Sequence, residues 1–240
     1  MITKKKVFFK NKKGTKLAGI LVSPEEYTKT ILFSCGIGAF KEEWLDWQYI
    51  LAEKGYRTLS FDYTGRGESE GKYEDTNLTV NLDDIQSALD FLDSETIVIG
   101  FSFGAQSALH LAARDKRVKC LVIMSGAHNI KDWTEGRRAK KEIDRGTSLF
   151  SEQDRKLILN LFNDAEKYNT LEEIKKIKVP ILIIHGEKDS QIPVRHAKEI
   201  YEVANEPKKL VILEGQDHSY MPREYKKVFQ LIMEWINRWT

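Results

Sequence analysis

The chain has 240 residues, 41% apolar and 31% charged, with 38 basic and 36 acidic side chains and a formal net charge of +2. That length suits one domain of the larger α/β kind, able to bury a core without staples, and the composition excludes a disordered chain. The near-balanced charge gives no electrostatic reason to expect a nucleic-acid partner, and the Lys4–Lys6 and Lys12–Lys13 clusters read as solvated strand ends.

The two cysteines, Cys35 and Cys120, sit in or beside apolar strand-like runs and form no disulfide framework. The residues after Met1 alternate without an apolar stretch of signal-peptide length. No apolar run approaches the roughly 20 residues of a membrane span, so no integral membrane segment is expected and a reducing cytoplasm is the expected location. Oligomeric state leaves no signature.

In chain order, Val7–Lys10 and Leu17–Val22 flank a turn at Asn11–Gly14 and predict an antiparallel hairpin. Thr30–Cys35 is a short apolar strand, Trp44–Lys54 has helical periodicity, and Arg57–Phe61 is another strand. Asn81–Leu92 places Leu82, Ile85, Leu89 and Leu92 on one helix face. Thr96–Gly100 is β-branched and runs into a small-residue helix, Phe103–Arg114; Val118–Met124 is the next strand. From Ala127 to Lys178 the chain is polar, charged and helical, too long for a plain connection. Pro180–His185, Leu210–Leu213 and a final helix over Arg223–Trp239 restore the alternation. The pattern predicts a mostly parallel sheet of about eight strands with helices on both faces and an antiparallel edge. The expected division is a core of residues 1–126 and 179–240 with a helical cap inserted at 127–178.

Gly100-Phe101-Ser102-Phe103-Gly104 fits Gly-x-Ser-x-Gly, a sharp strand-to-helix turn that lifts a serine hydroxyl above a sheet. Three fixed positions match by chance in roughly one chain in ten of this length, so the pattern alone is weak. Its context is what counts: a strand precedes it and a helix follows, whose N-terminus favours developing negative charge. A serine hydroxyl needs a base. Of the five histidines, His110 lies two helical turns from Ser102 and reads as helix surface or packing. His128 follows a strand near the root of the cap, His185 ends a strand and reads as structural, and His196 reads as an exposed position of a charged helix. His218, in the loop between the last strand and the last helix, reaches the sheet end where Ser102 points.

The acid follows the strand before that: Asp189, in Gly186-Glu187-Lys188-Asp189-Ser190. Its rivals are Asp217, whose side chain as an immediate neighbour is poorly placed to face His218, and Glu187. The order Ser102, Asp189, His218 suits a hydrolase triad built on such a sheet. Backbone N–H groups for an oxyanion hole are expected from Phe103 and, in Ser34-Cys35-Gly36-Ile37-Gly38-Ala39-Phe40, from Ile37. The aromatics Phe40, Trp44, Trp47, Trp133, Phe150, Phe162 and Tyr220 divide between packing and an apolar acyl pocket, for which Phe40, Trp44, Trp133 and Tyr220 are the candidates. No His, Cys or acidic residues show metal-ligand spacing, so neither metal nor cofactor is expected.

These motifs, with Asp62-Tyr63-Thr64-Gly65-Arg66-Gly67-Glu68-Ser69 and His185-Gly186-Glu187-Lys188-Asp189, resemble the α/β-hydrolase superfamily over nearly the whole chain. The resemblance is to small bacterial carboxylesterases, including cinnamoyl and feruloyl esterases, and to the serine aminopeptidase-like and monoacylglycerol lipase-like groups. It is also similar to the acyl-protein thioesterase and acyl-glucuronide esterase branch. The chain departs from the usual His-Gly at strand three, where it has Cys35-Gly36. The resemblance implies an α/β-hydrolase fold and a serine carboxylesterase acting on a small-molecule acyl ester. Thioester and amide or aminopeptide hydrolysis are the alternatives within that fold. Haloalkane dehalogenase and epoxide hydrolase chemistry needs Asp where this chain has Ser102. The rival from another class is a noncatalytic binding protein that retains the fold; the presence of all three triad candidates argues against it.

Overall fold

The computed structural model describes residues 1–146 and 150–240. Strands β1 (Ile2–Lys10) and β2 (Lys16–Pro24) form the opening hairpin. Then follow β3 (Lys29–Ser34), α1 (Leu45–Glu53), β4 (Tyr56–Phe61), α2 (Leu78–Leu92), β5 (Thr96–Phe101), α3 (Phe103–Arg114) and β6 (Val118–Met124). The segment after β6 carries α4 (Thr134–Asp144), α5 (Glu152–Ala165) and α6 (Thr170–Ile174). The chain closes with β7 (Ile181–Gly186), α7 (Arg195–Val203), β8 (Lys208–Leu213) and α8 (Met221–Trp239). The eight strands form one sheet in the order β1-β2-β4-β3-β5-β6-β7-β8. β1, β2 and β4 pair antiparallel, and every pairing from β4 to β8 is parallel. This is the α/β-hydrolase fold that the motifs led one to expect.

Alternation along the central strands assigns residues to two cores. Leu32, Val98, Leu121, Ile123 and Ile183 face one side, against Ile85 and Leu89 of α2, Leu109 of α3 and Ile200 of α7. Ile31, Phe33, Ile99, Val122 and Ile184 face the other, against Trp47 and Leu51 of α1 and Val228, Ile232 and Ile236 of α8. Helix α2 begins earlier than its apolar periodicity, because Asn77 caps it by accepting the Val80 N–H at 2.9 Å.

The helices between β6 and β7 divide by packing. Leu157, Ile158, Leu161 and Phe162 of α5 join Ala139 and Ile143 of α4 in a cluster that includes Phe103 and Leu78 of the sheet-flanking helices. By contrast, Ile174 of α6 and the following Ile177 are buried in the main core. The expected boundary at residue 178 therefore groups with the insertion a short helix that packs as part of the core, because its apolar residues face α3 and α7 instead of α5.

His110 of α3 shows the cost of that docking. It is fully buried, with Nε2 at 3.0 Å from Thr170 Oγ1, which also accepts from Gln106 Nε2 at 3.0 Å. Burial, helped by the Arg114 charge, lowers its pKa to about 4. The unfolded chain binds this proton near the ordinary histidine value of about 6.5, so the neutral side chain contributes full stability above that pH and loses it as pH falls toward 4. Between pH 7 and pH 5 the loss is about 2 kcal/mol. Urea unfolding at the two pH values should show a difference smaller by about that amount in His110→Asn; equal pH sensitivity in both proteins would contradict this account.

Candidate active site

The parallel strands end on one side of the sheet, and the loops after β3, β5, β7 and β8 meet there. Sheet order reverses direction between β3 and β5, so their loops diverge and leave a crevice at a switch point. Ser102 stands in that crevice between β5 and α3, at φ 55° and ψ −122°. A non-glycine residue in this region is strained, and the strain is held by flanking contacts. The Ser102 N–H donates to Met124 O at 2.9 Å. A Cβ on Gly104 would overlap the carbonyl oxygens of Ser34 and Cys35, so only glycine allows α3 to sit this close to the end of β3. Although Ser102 is the N-cap of α3, its hydroxyl makes no capping bond. It lies instead 3.2 Å from His218 Nε2.

His218 Nδ1 is 2.7 Å from Asp189 Oδ2. The Asp189 side chain is fully buried. Its Oδ1 accepts the N–H groups of Gln191 and Ile192 at 3.0 and 2.8 Å, while His185 Nε2 stands 3.2 Å from Oδ2. Burial alone would raise the Asp189 carboxyl, but the contacts from His185, His218 and the Ile192 N–H outweigh it and hold the group well below the usual carboxylate range. His185 is itself buried and also donates from Nε2 to Ile192 O at 2.8 Å, so it positions the Asp189 loop. The two rival carboxylates turn elsewhere: Asp217 accepts the Ser219 N–H at 2.9 Å, and Glu187 accepts the Gly215 N–H at 2.9 Å. A Cβ on Gly186 would overlap the carbonyl oxygens of Gln216 and Asp217, so this glycine lets the histidine loop cross over the end of β7.

The loop after β3 lies directly against the serine: a Cβ on Gly36 would stand 3.0 Å from Ser102 Cβ. Its orientation depends on Arg66, a buried residue whose Nη1 donates to Gly36 O at 2.7 Å. The carbonyl of Gly36 and the N–H of Ile37 belong to one trans peptide and point in opposite directions. Holding the first with Arg66 therefore directs the second away from it. The Phe103 N–H, at the first residue of α3, has no acceptor within the helix. Arg66 was not singled out in the sequence, where it appears only inside the Asp62–Ser69 motif. The same motif anchors the turn after the loop, since Asp62 accepts the Lys41 N–H at 2.9 Å and pairs with buried Lys41 Nζ at 2.6 Å. Cys35, in place of the usual histidine, accepts from Trp44 Nε1 at 3.1 Å. Burial pushes its thiol up to about 12, so it stays neutral.

One cleft flanks the serine turn and a second lies in the insertion. One of about 450 Å³ is lined by Trp44, Trp47, Phe101, Ser219 and Tyr225, with Glu43 and Asp46 at its polar side. The Phe101 ring lies 5.2 Å from that of His218. The other, of about 510 Å³, lies among the inserted helices and includes Trp133, Phe150 and Leu157. Of the four pocket candidates, Trp44 and Trp133 line these clefts. Phe40 is exposed and lines neither. Tyr220 is a correction: it is fully buried, with its hydroxyl facing Ile184 O at 3.5 Å, because the residue that precedes α8 turns into the core cluster. His196 is a second correction, being fully buried on the inner face of α7 and not exposed.

A hydroxyl bonded to an imidazole that is held by a buried carboxylate can lose its proton as it attacks a carbonyl carbon. AB hydrolase superfamily protein YisY of Bacillus subtilis is 28% identical over 225 residues, covering 78% of this chain and 84% of that protein. An esterase of Pyrococcus furiosus superposes with a TM-score of 0.77 at 23% identity over 99% of this chain and 93% of its own. Est1E of Butyrivibrio proteoclasticus, solved with ferulic acid bound, superposes with a TM-score of 0.76 at 21% identity over 96% and 99% of the two chains. The model of the prolyl oligopeptidase family, Peptidase_S9, matches residues 44–240, from the start of the first sheet-covering helix through all the loops that carry Ser102, Asp189 and His218. The chain therefore belongs to the prolyl oligopeptidase family and is a hydrolase of the α/β-hydrolase superfamily.

Proposed function

We propose that this protein is a serine carboxylic-ester hydrolase that works through an acyl-enzyme, with Ser102 as nucleophile, His218 as base and Asp189 as acid. The observation that carries the reading is the Ser102 Oγ to His218 Nε2 separation of 3.2 Å, backed by the 2.7 Å bond from His218 Nδ1 to Asp189. His218 takes the Ser102 proton as Oγ attacks the ester carbonyl. The Phe103 and Ile37 N–H groups receive the negative charge on its oxygen. His218 then protonates the departing alkoxide, and a water activated by the same imidazole releases the acid and restores Ser102. Each proton transfer is assigned to His218, so the cycle calls for no cofactor. The Phe101–Trp44–Trp47 cleft supplies an apolar wall suited to the acyl or alcohol group. Helices α4 and α5 act as a cap over Phe103, within the 127–178 insertion on the 1–126 and 179–240 core. The free thiols of Cys35 and Cys120 suit a reducing cytoplasm; among the described residues no helix is long and apolar enough to cross a membrane.

The family match favours one second reading, cleavage of an amide or peptide bond by the same residues. A fluorophosphonate label followed by p-nitrophenyl ester, thioester and aminoacyl-anilide substrates separates them. Labelling at Ser102 with esters turned over faster than anilides is the expected result. Faster anilide turnover would transfer the assignment to a peptidase, and no labelling would remove the hydrolase mechanism.

A further inference from the structure

Away from the triad, His128, His196 and Glu199 form a cluster whose candidate donor atoms all lie within 4.8 Å of one another. His128 lies in the connection that follows β6. His196 and Glu199 are three residues apart on α7 and so share one face. His128 Nε2 is 2.5 Å from Glu199 Oε2, and the two imidazole rings are 4.4 Å apart between centroids. The informative member is His196. Its side chain is fully buried, yet neither ring nitrogen has a hydrogen-bond partner. The Asp132 carboxylate oxygen, 3.6 Å from Nε2, is too far to supply one. Buried imidazoles without partners are rare, because desolvation of both nitrogens goes uncompensated.

We propose that His128, His196 and Glu199 bind a divalent transition-metal ion of the zinc class. Two imidazoles and one carboxylate are a donor set that Zn²⁺ accepts at about 2.0–2.2 Å, which places tetrahedral ligand atoms roughly 3.4 Å apart. The donor atoms, now within 4.8 Å of one another, would adjust to that spacing on binding. Asp132 is placed to supply a fourth ligand; it now pairs with Arg195 at 2.8 Å, and Arg195 also stands 3.6 Å from Glu199. The ion would fasten the connection after β6, which leads into the inserted helices, to α7 of the core. None of the three residues shares a hydrogen bond with Ser102 or His218, so the site is structural and independent of the reaction assigned to Ser102. In the sequence the set was invisible: His196 read as an exposed helix position, and His128 lies 68 residues before it.

The test uses the full chain stripped with chelator and titrated with zinc chloride alone by calorimetry, with thermal unfolding followed in parallel. One equivalent of zinc should bind, and the unfolding midpoint should rise with it. Glu199→Gln and His128→Gln, both at partly exposed positions, should weaken binding by about tenfold or more, with His196→Ala as a third variant. Unchanged circular dichroism of the metal-free variants shows that they fold. Absence of zinc binding by the wild type, or unchanged stoichiometry and affinity in both Gln variants, would overturn the site.

Discussion

Ser102→Ala is expected to lower ester turnover by on the order of 10⁴-fold or more, and His218→Ala by a similar factor, because nucleophile and base act as one unit. The alanine at 102 keeps the turn, the Met124 bond and the close contact at Gly104, so folding and substrate binding should change little. Asp189→Asn should cost less than either because the imidazole itself remains, but the loss should still be large, for a reason visible in the geometry. Asp189 Oδ1 accepts two backbone N–H groups, from Gln191 and Ile192. In the variant the amide oxygen is drawn to those donors, and the NH₂ group faces His218 Nδ1. That imidazole must then present a lone pair at Nδ1 and carry its proton on Nε2, where it cannot accept from Ser102. The measurement is kcat and KM for one p-nitrophenyl ester across the variants. An alanine enzyme at 102 that keeps more than a few per cent of turnover would dismiss Ser102 as nucleophile.

The second large effect is expected at Arg66, which touches no reacting atom. Arg66→Met removes the donor that holds the Gly36 carbonyl, and with it the restraint on the Gly36–Ile37 peptide. Losing a whole oxyanion donor costs about 10²–10³ in kcat, so a donor left loosely aimed should cost about 10–10². The loss should fall on kcat with KM nearly unchanged, since the developing charge, not the ground-state ester, needs that N–H. Stability gives a separate reading. Arg66 is a buried cation with Nε and Nη2 unpartnered, so an apolar side chain of similar length relieves one cost while leaving the Gly36 oxygen without a donor. Arg66→Lys, able to donate to the same oxygen, should recover part of the kcat. If Arg66→Met keeps kcat within about twofold of wild type, well short of the loss expected from a misdirected donor, Arg66 has no part in positioning the oxyanion loop.

Much of this architecture was legible in the sequence because its signals are local. The continuous runs Thr96–Gly100, Val118–Met124 and Pro180–His185 announce strands buried on both faces, observed at Thr96–Phe101, Val118–Met124 and Ile181–Gly186. The elbow at Gly100–Gly104 announces a strand-to-helix turn within five residues. Asp189 and His218 could be singled out because each follows a strand, and a parallel sheet delivers all such loops to one edge. What the tertiary structure alone decided concerns directions and distant partners. Asp217, adjacent to His218, turns to its own loop, whereas Asp189 crosses 29 positions to reach the ring. His196 differs from expectation because the rotation of α7 on the sheet, set by Ile200, turns it inward, and Tyr220 because the end of the histidine loop packs into the core where α8 begins. Arg66 meets Gly36, and His128 meets His196, across 30 and 68 positions of intervening chain. Periodicity and turn chemistry specify which faces are apolar and where the chain bends. They carry no record of which polar atoms close packing brings together, and at this site those atoms are the ones that hold Ser102, His218 and the loop after β3 in place.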